Sequence, residues 1–245
     1  MSKGAVLIIG ARSDIAIAVA HCFAKEGYDI QLAARNISSL NADKSDIELR
    51  YQVGVSLYDF NALEIDSHER FVSLLPKLPL VAVCAVGYMG VQAENERDLL
   101  AAVNVMRSNF EGPASILAVL ANHFEHRGSG TLVGISSVAG ERGRAKNYIY
   151  GSAKAGFTAF LSGLRNRLAR KGVHVITVLP GFVATKMTKE MNLPSKLTAQ
   201  PEEVAIAVLN AVKKKHNIIY VKKTWLLIMK VIRSIPEHFF KKMKL

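Results

Sequence analysis

Short, charge-free apolar runs alternate along this chain with longer stretches in which apolar residues recur every three or four positions. Ala5–Ile9 is the first such run, Asp14–Glu26 has helical spacing and stops at Gly27, and Tyr28–Ala33 is strand-like again, which predicts an opening β-α-β unit. The same reading predicts a strand over Leu49–Val55, a helix over Leu63–Leu75, a strand buried on both faces over Leu80–Val86, and a long or broken helix over Asn95–His126. Strands over Thr131–Ser136, Val173–Leu179 and Ile218–Val221 follow, with helices over Tyr148–Arg170 and, opened by Pro201, over Glu202–Lys214. Strict alternation at these lengths implies parallel strands joined by right-handed crossovers, hence an α/β fold: one domain over residues 1–222, built on a doubly wound parallel sheet. Residues 223–245 read as a basic, amphipathic C-terminal helix appended to it.

Composition narrows the class. With 245 residues, 50% of them hydrophobic and 21% charged, the chain is long enough to bury a sizeable core without staples. Cys22 and Cys84 stand 62 positions apart with no CxxC pattern, which argues against a disulfide framework or zinc cage and for a reducing, cytoplasmic setting. His123 and His126 lie three apart on a predicted helix without a third ligand, so no metal site is expected. The apolar run before Gly10 is too short for the core of a secretory leader, and no run reaches the length of a membrane-spanning helix. The net charge of +12 is concentrated: residues 213–245 hold ten Lys and Arg against one acid, Glu237. That pattern is a near-neutral domain with a basic tail. The tail lacks a nucleic-acid reading motif and has apolar residues throughout, so no nucleic-acid partner is expected.

In a doubly wound sheet of this Rossmann type a dinucleotide pyrophosphate binds at the first strand-to-helix turn. Here that turn is Gly10-Ala-Arg-Ser-Asp-Ile-Ala16, with Asp14 and Ala16 where a GxxxGxG pattern has its second and third glycines. Tyr150-Gly-Ser-Ala-Lys154 places a phenol and an ammonium four apart on one helix face, where the cation can stabilise a phenolate. Ser137 lies 13 residues earlier, at the end of a buried strand. Reduction of a ketone needs a proton donor at oxygen, and a Tyr with a nearby cation can supply it near neutral pH.

Five motifs in order then resemble the short-chain dehydrogenase/reductase family: the turn at Gly10, Ser108-Asn-Phe-Glu-Gly112, Ser136-Ser-Val-Ala-Gly140, Tyr150-xxx-Lys154 and Leu179-Pro-Gly-Phe-Val-Ala-Thr185. The resemblance implies NAD(P)(H)-dependent interconversion of an alcohol and a carbonyl. It implies Tyr150 as general acid/base, Ser137 orienting the substrate oxygen, Lys154 holding the nicotinamide ribose and lowering the Tyr150 pKa, and Asn109 anchoring a water of a proton relay. It further implies cofactor contacts from Gly10, Arg12, Ser13, Asp14, Ile15, Arg35, Ser56, Leu57, Gly87, Pro180, Gly181, Val183 and Thr185, besides Tyr150 and Lys154. At the end of the second strand Ala34 stands where an NAD enzyme usually has an acid and Arg35 follows, which favours NADP(H) over NAD(H). The chain departs from the family in having Cys84-Ala-Val-Gly87 for the usual Asn-Asn-Ala-Gly, Ser56 where an adenine-contacting acid is usual, and Asp14 in the phosphate turn, an acid that has to point away and cap the helix start.

Residues 136–156 and 225–245 are also similar to the keto-reductase component of the decaprenylphosphoryl-ribose 2-epimerase system. That similarity implies a lipid-linked or cell-envelope keto sugar as substrate, a flavin-dependent oxidase as partner, and a homo-oligomer by family analogy. Trp225–Ile235 with its lysines suits a peripheral place on the inner membrane face, or else packing over the cleft or a second subunit. Arg142 and Arg144 are candidates for a substrate phosphate. A soluble ketone or 3-ketoacyl reductase, and an idle NADP-sensing module that docks a membrane partner, are the competing readings.

Overall fold

Ala5–Ile9 (β1) offers no polar side chain to solvent, and all five of its residues are buried. In the computed structural model, which describes residues 2–189 and 191–243, β1 lies inside a seven-stranded parallel sheet. The further strands are Asp29–Ala34 (β2), Val55–Asp59 (β3), Val81–Cys84 (β4), Gly130–Ile135 (β5), Val173–Pro180 (β6), the two-residue pair Phe182–Val183 (β7) and Thr198–Ala199 (β8), and Ile218–Val221 (β9). The sheet order is β3-β2-β1-β4-β5-β6-β9, with every pair parallel, and β7 pairs with β8 apart from it.

Helices Asp14–Lys25 (α1), Asn41–Tyr51 (α2), His68–Ser73 (α3), Gln92–Asn95 (α4), Leu99–Met106 (α5), Gly112–Arg127 (α6), Tyr148–Leu168 (α7), Pro201–Lys214 (α8), Thr224–Ser234 (α9) and Glu237–Phe240 (α10) complete the chain. Val6 and Ile8 of β1 belong to a core with Val19 and Phe23 of α1 and Val204 and Val208 of α8. Leu7 and Ile9 belong to another with Leu117 and Leu120 of α6 and Phe157 and Leu161 of α7. Burial on both faces is why these strands are uniformly apolar rather than alternating. The single-domain, doubly wound sheet expected from the sequence is the fold.

One expectation changes. Leu49–Val55 is not a strand: α2 runs through Tyr51, Gln52 takes a left-handed φ of 55° that ends it, and β3 starts at Val55. The helical stretch over 95–126 takes the broken form of the two expected, with α5 and α6 joined by a π turn over Arg107–Glu111 that carries Asn109. At the C-terminal end, α9 is the expected basic amphipathic helix, but Trp225 and Met229 on its apolar side are buried against Val138 and Leu179. Leu227 and Val231 remain 65% and 58% exposed on the other side. No helix among the described residues is long and apolar enough to cross a membrane.

Candidate active site

Strand order reverses between β1 and β4, so the loops that leave their carboxyl ends diverge and open a crevice. Gly10 has a φ of +82°, and a Cβ there would lie 2.9 Å from the Val86 nitrogen; the turn after β1 approaches the tail of β4 this closely because it has no side chain. Ser13 caps α1, its hydroxyl accepting the Ala16 N–H at 3.2 Å. Asp14 is therefore not the cap. Its carboxylate turns across the crevice, accepting the Lys186 N–H at 2.7 Å and lying 3.4 Å from the Lys186 ammonium.

The resulting cleft, of about 1270 Å³, is lined by Gly10, Arg12, Ser13, Asp14, Ile15, Arg35, Gly87, Pro180, Gly181, Val183 and Thr185. Ser56 and Leu57 are not among its walls, because β3 runs on to Asp59; Phe60, Asn61 and Ala62 line that end instead. Arg12 and Arg35 are exposed. A dinucleotide fits these residues: a turn that opens on a residue without a side chain, an acid drawn off toward Lys186, and two guanidinium groups on the cleft surface.

The opposite end of the cleft is built on β5 and α7. Ser136 ties the two together, its hydroxyl bonding to the Lys154 carbonyl at 3.0 Å and to the Thr158 hydroxyl at 2.7 Å. Ser137 follows with extended backbone, its hydroxyl accepting the Ala139 N–H at 3.1 Å. Tyr150 and Lys154 reach the same wall from the first turns of α7. Lys154 is 3% exposed, donates to the Ile135 carbonyl at 3.1 Å and lies 5.8 Å from the centre of the Tyr150 ring.

Burial sets both protons of this pair. It pushes the Tyr150 phenol up to about 12, with the Ser137 hydroxyl pulling the other way, and pushes the Lys154 ammonium down to about 8. Lowering of the Tyr150 pKa by Lys154, implied by the family resemblance, is thus not what the site shows: desolvation raises the phenol, and the group that lowers it is the Ser137 hydroxyl. Asn109 is fully buried and stands behind the wall rather than in the cleft. Its amide donates to the Val105 carbonyl at 2.8 Å and to the Tyr88 carbonyl, and accepts the Tyr88 N–H at 3.3 Å. Gly87 is approached by both side chains: a Cβ there would lie 3.1 Å from Asn109 Oδ1 and 3.5 Å from Lys154 Nζ.

A family description, short chain dehydrogenase, matches residues 4–196. The chain belongs to the short-chain dehydrogenase family. Its relatives include an uncharacterized oxidoreductase of Mycobacterium tuberculosis, 34% identical over 241 residues that cover 97% of this chain and 96% of the relative. Another, from Streptomyces coelicolor, is 32% identical over 243 residues, 97% of this chain and 95% of the relative. Among solved structures, a short-chain dehydrogenase of Burkholderia cenocepacia in complex with NADP has the same fold at a TM-score of 0.83, with 18% identity and coverage of 98% of this chain and 97% of that one. One of Sphingobium yanoikuyae in complex with NADPH has a TM-score of 0.78 at 21% identity, covering 95% and 96%.

One further part of this short-chain dehydrogenase's cleft differs from expectation. Arg142 does not reach it: the guanidinium donates to the carbonyls of Ile232, Arg233 and Ile235 at 3.4, 3.1 and 2.9 Å, pairs with Glu237 at 2.7 Å and stacks 3.9 Å from the Phe240 ring centre. It satisfies the free carbonyls at the end of α9. Trp225, by contrast, lines the cleft, edge-on to Phe182 with ring centres 5.2 Å apart and its indole N–H on the Leu197 carbonyl at 3.0 Å. Sequence periodicity places Trp225 on an apolar face but carries no signal for what that face meets.

The Lys154 value has a measurable consequence. Between about pH 8 and the ordinary lysine value of 10.5, the unfolded chain holds the Lys154 proton and the native chain does not, so this group's contribution to stability rises with pH across that window. In denaturant unfolding without cofactor, wild type should gain stability relative to Lys154→Met between pH 8 and pH 10. A constant difference would mean that the buried ammonium keeps its ordinary pKa.

Proposed function

We propose that this short-chain dehydrogenase is an NADP(H)-dependent reductase of a keto group carried on a lipid-linked or cell-envelope sugar, of the polyprenyl-phosphate 2-keto-pentose type. The observation that carries the reductase reading is the convergence of Ser137, Tyr150 and Lys154 on one wall of the cleft that begins at Gly10. A bound nicotinamide supplies the hydride. Tyr150 holds its proton through neutral pH and gives it to the carbonyl oxygen as charge builds there. The Ser137 hydroxyl orients that oxygen, and Lys154 lies beneath the phenol with its ammonium fixed on the Ile135 carbonyl. Asn109 positions the strand-end segment through Tyr88.

Arg12 and Arg35 on the cleft surface, with Ala34 in place of an acid, support a 2′-phosphate. The NADP and NADPH bound by the Burkholderia and Sphingobium proteins agree with that preference. For a lipid-borne substrate the support is α9: one side closes the cleft with Trp225, while Leu227 and Val231 face outward among the exposed Lys223 and Lys230, as an interfacial helix does. An oxidase acting on the corresponding alcohol would supply the ketone.

The test is NADPH oxidation by the purified protein with a polyprenyl-phosphate 2-keto-pentose in anionic vesicles. Arg35→Glu should raise the KM for NADPH about tenfold or more and leave that for NADH unchanged, because one charge-assisted pair to phosphate contributes about 1.5–3 kcal/mol. Leu227→Glu with Val231→Glu should abolish vesicle-dependent turnover and spare that of a soluble ketone. Equal turnover of both substrates by that variant would refute the lipid-borne substrate.

A further inference from the structure

The loop between β5 and α7 holds three buried polar atoms with no partner among the described residues: Glu141 Oε2, Arg144 Nε and Asn147 Oδ1. Buried polar atoms in native proteins are paired, so each marks something that the chain alone does not provide. Glu141 is otherwise engaged, its other oxygen accepting from Tyr220 at 2.7 Å and from Arg233 at 3.3 Å. Arg144 and Asn147 differ from it, because both line the cleft, as Ser137, Tyr150 and Trp225 do. The acid of their own loop is held by Tyr220 and Arg233, and that of α10 by Arg142, so neither neutralises Arg144. Burial also works against the Arg144 charge, which a counter-ion would relieve.

The two unpartnered atoms ask for opposite things. A guanidinium N–H needs an acceptor and is matched best by an anion, whereas the Asn147 amide oxygen needs a donor. A hydroxyl serves that amide in either orientation. Cofactor phosphates answer neither demand, since the phosphate turn follows β1 and Arg144 follows β5, two strands further across the sheet, about 10 Å at ordinary strand spacing.

We propose that Arg144 and Asn147 form a recognition site for an anionic, hydroxylated substrate, with a phosphate or carboxylate on Arg144 and a neighbouring hydroxyl on Asn147. The inference rests on the reading of the cleft as the place of carbonyl reduction, and it assigns the part of the substrate that Ser137 and Tyr150 do not touch. Such a group can come from a soluble sugar phosphate or from a lipid phosphodiester.

Calorimetric titration of the full chain, saturated with NADP+ so that the cofactor contacts are filled, separates the outcomes. Glycerol 3-phosphate should bind at least tenfold tighter than glycerol, Arg144→Gln should remove that preference, and Arg144→Lys should keep part of it. Asn147→Leu should weaken glycerol 3-phosphate and leave inorganic phosphate unchanged. A short-chain lysophosphatidate that binds tenfold tighter again, and loses affinity equally in Arg144→Gln, identifies a lipid source; equal affinity identifies a soluble one. Wild type that binds NADP+ but shows no preference for glycerol 3-phosphate, or a preference that survives Arg144→Gln, overturns this site alone. Failure of wild type to bind NADP+ overturns the reading of the cleft and this proposal with it.

Discussion

Tyr150→Phe is expected to lower the rate of carbonyl reduction about 10²- to 10⁴-fold, the range of a positioned proton donor, while NADPH affinity stays within about twofold of wild type. The substitution removes one oxygen and keeps the ring. That ring packs against the cluster of Ala102, Val105 and Ile149 and lies over the Lys154 ammonium, contacts that Phe preserves. A loss in turnover with intact NADPH fluorescence titration and unchanged unfolding would therefore be a loss of chemistry. Single-turnover measurement at pH 7 is the cleanest form, since the phenol, with its pKa pushed to about 12, is fully protonated there and the donor is present in all wild-type molecules. Turnover within about threefold of wild type would remove Tyr150 from the reaction and leave the chain as a nicotinamide-sensing module.

The second large effect is on stability and comes from a single methyl group. A Cβ at Gly181 would lie 1.9 Å from Trp225 Cε2 and 2.0 Å from its Nε1, so Gly181→Ala cannot keep the indole where it is. Trp225 is 4% exposed, and its displacement breaks the bond to Leu197 and the edge-on contact with Phe182. Loss of a buried Trp side chain costs about 3–5 kcal/mol, and Gly181→Ala should approach that figure in denaturant unfolding. The two positions share one space, so Gly181→Ala combined with Trp225→Ala should be no less stable than Trp225→Ala alone. Additive losses would mean that the turn at Pro180 is intolerant of Ala for reasons of its own.

What the sequence revealed of this molecule follows from how each element is buried. Strands covered on both faces, such as Ala5–Ile9 and Val81–Cys84, have no competing pattern and stand out as charge-free runs. α2 was hidden for the opposite reason: Ile47 is its one buried residue, so it has no apolar stripe, and Leu49, Tyr51 and Val53 alternate with polar neighbours as a strand would. Missing α2 moved β3 toward the N-terminus, and with it the adenine-end candidates from Phe60 and Asn61 to Ser56 and Leu57. Tyr150, Lys154 and Ser137 were legible because their spacing is local or tied to one strand end. Trp225 in the cleft, and Asp14 turned to Lys186, depend on segments 44 and 172 positions apart meeting in space, which no periodicity encodes. Arg142 and Arg144, two positions apart, went opposite ways for the same reason.

The uniform burial of the central strands also governs how the chain comes together. Val6-Leu-Ile-Ile9 and Val81-Ala-Val-Cys84 are β-prone and carry no charge, and they pair in register with each other across more than seventy intervening residues. Parallel pairing at that separation is slow, and until it is complete each strand exposes two adhesive faces and two open edges to other chains. Lys3 just before β1 and Lys77 a few residues before β4 are the charges that precede these runs. The rest of the protection against self-association has to come from α1, α6, α7 and α8 closing over the sheet, so the helix that carries Tyr150 and Lys154 also shields the strands it stands on.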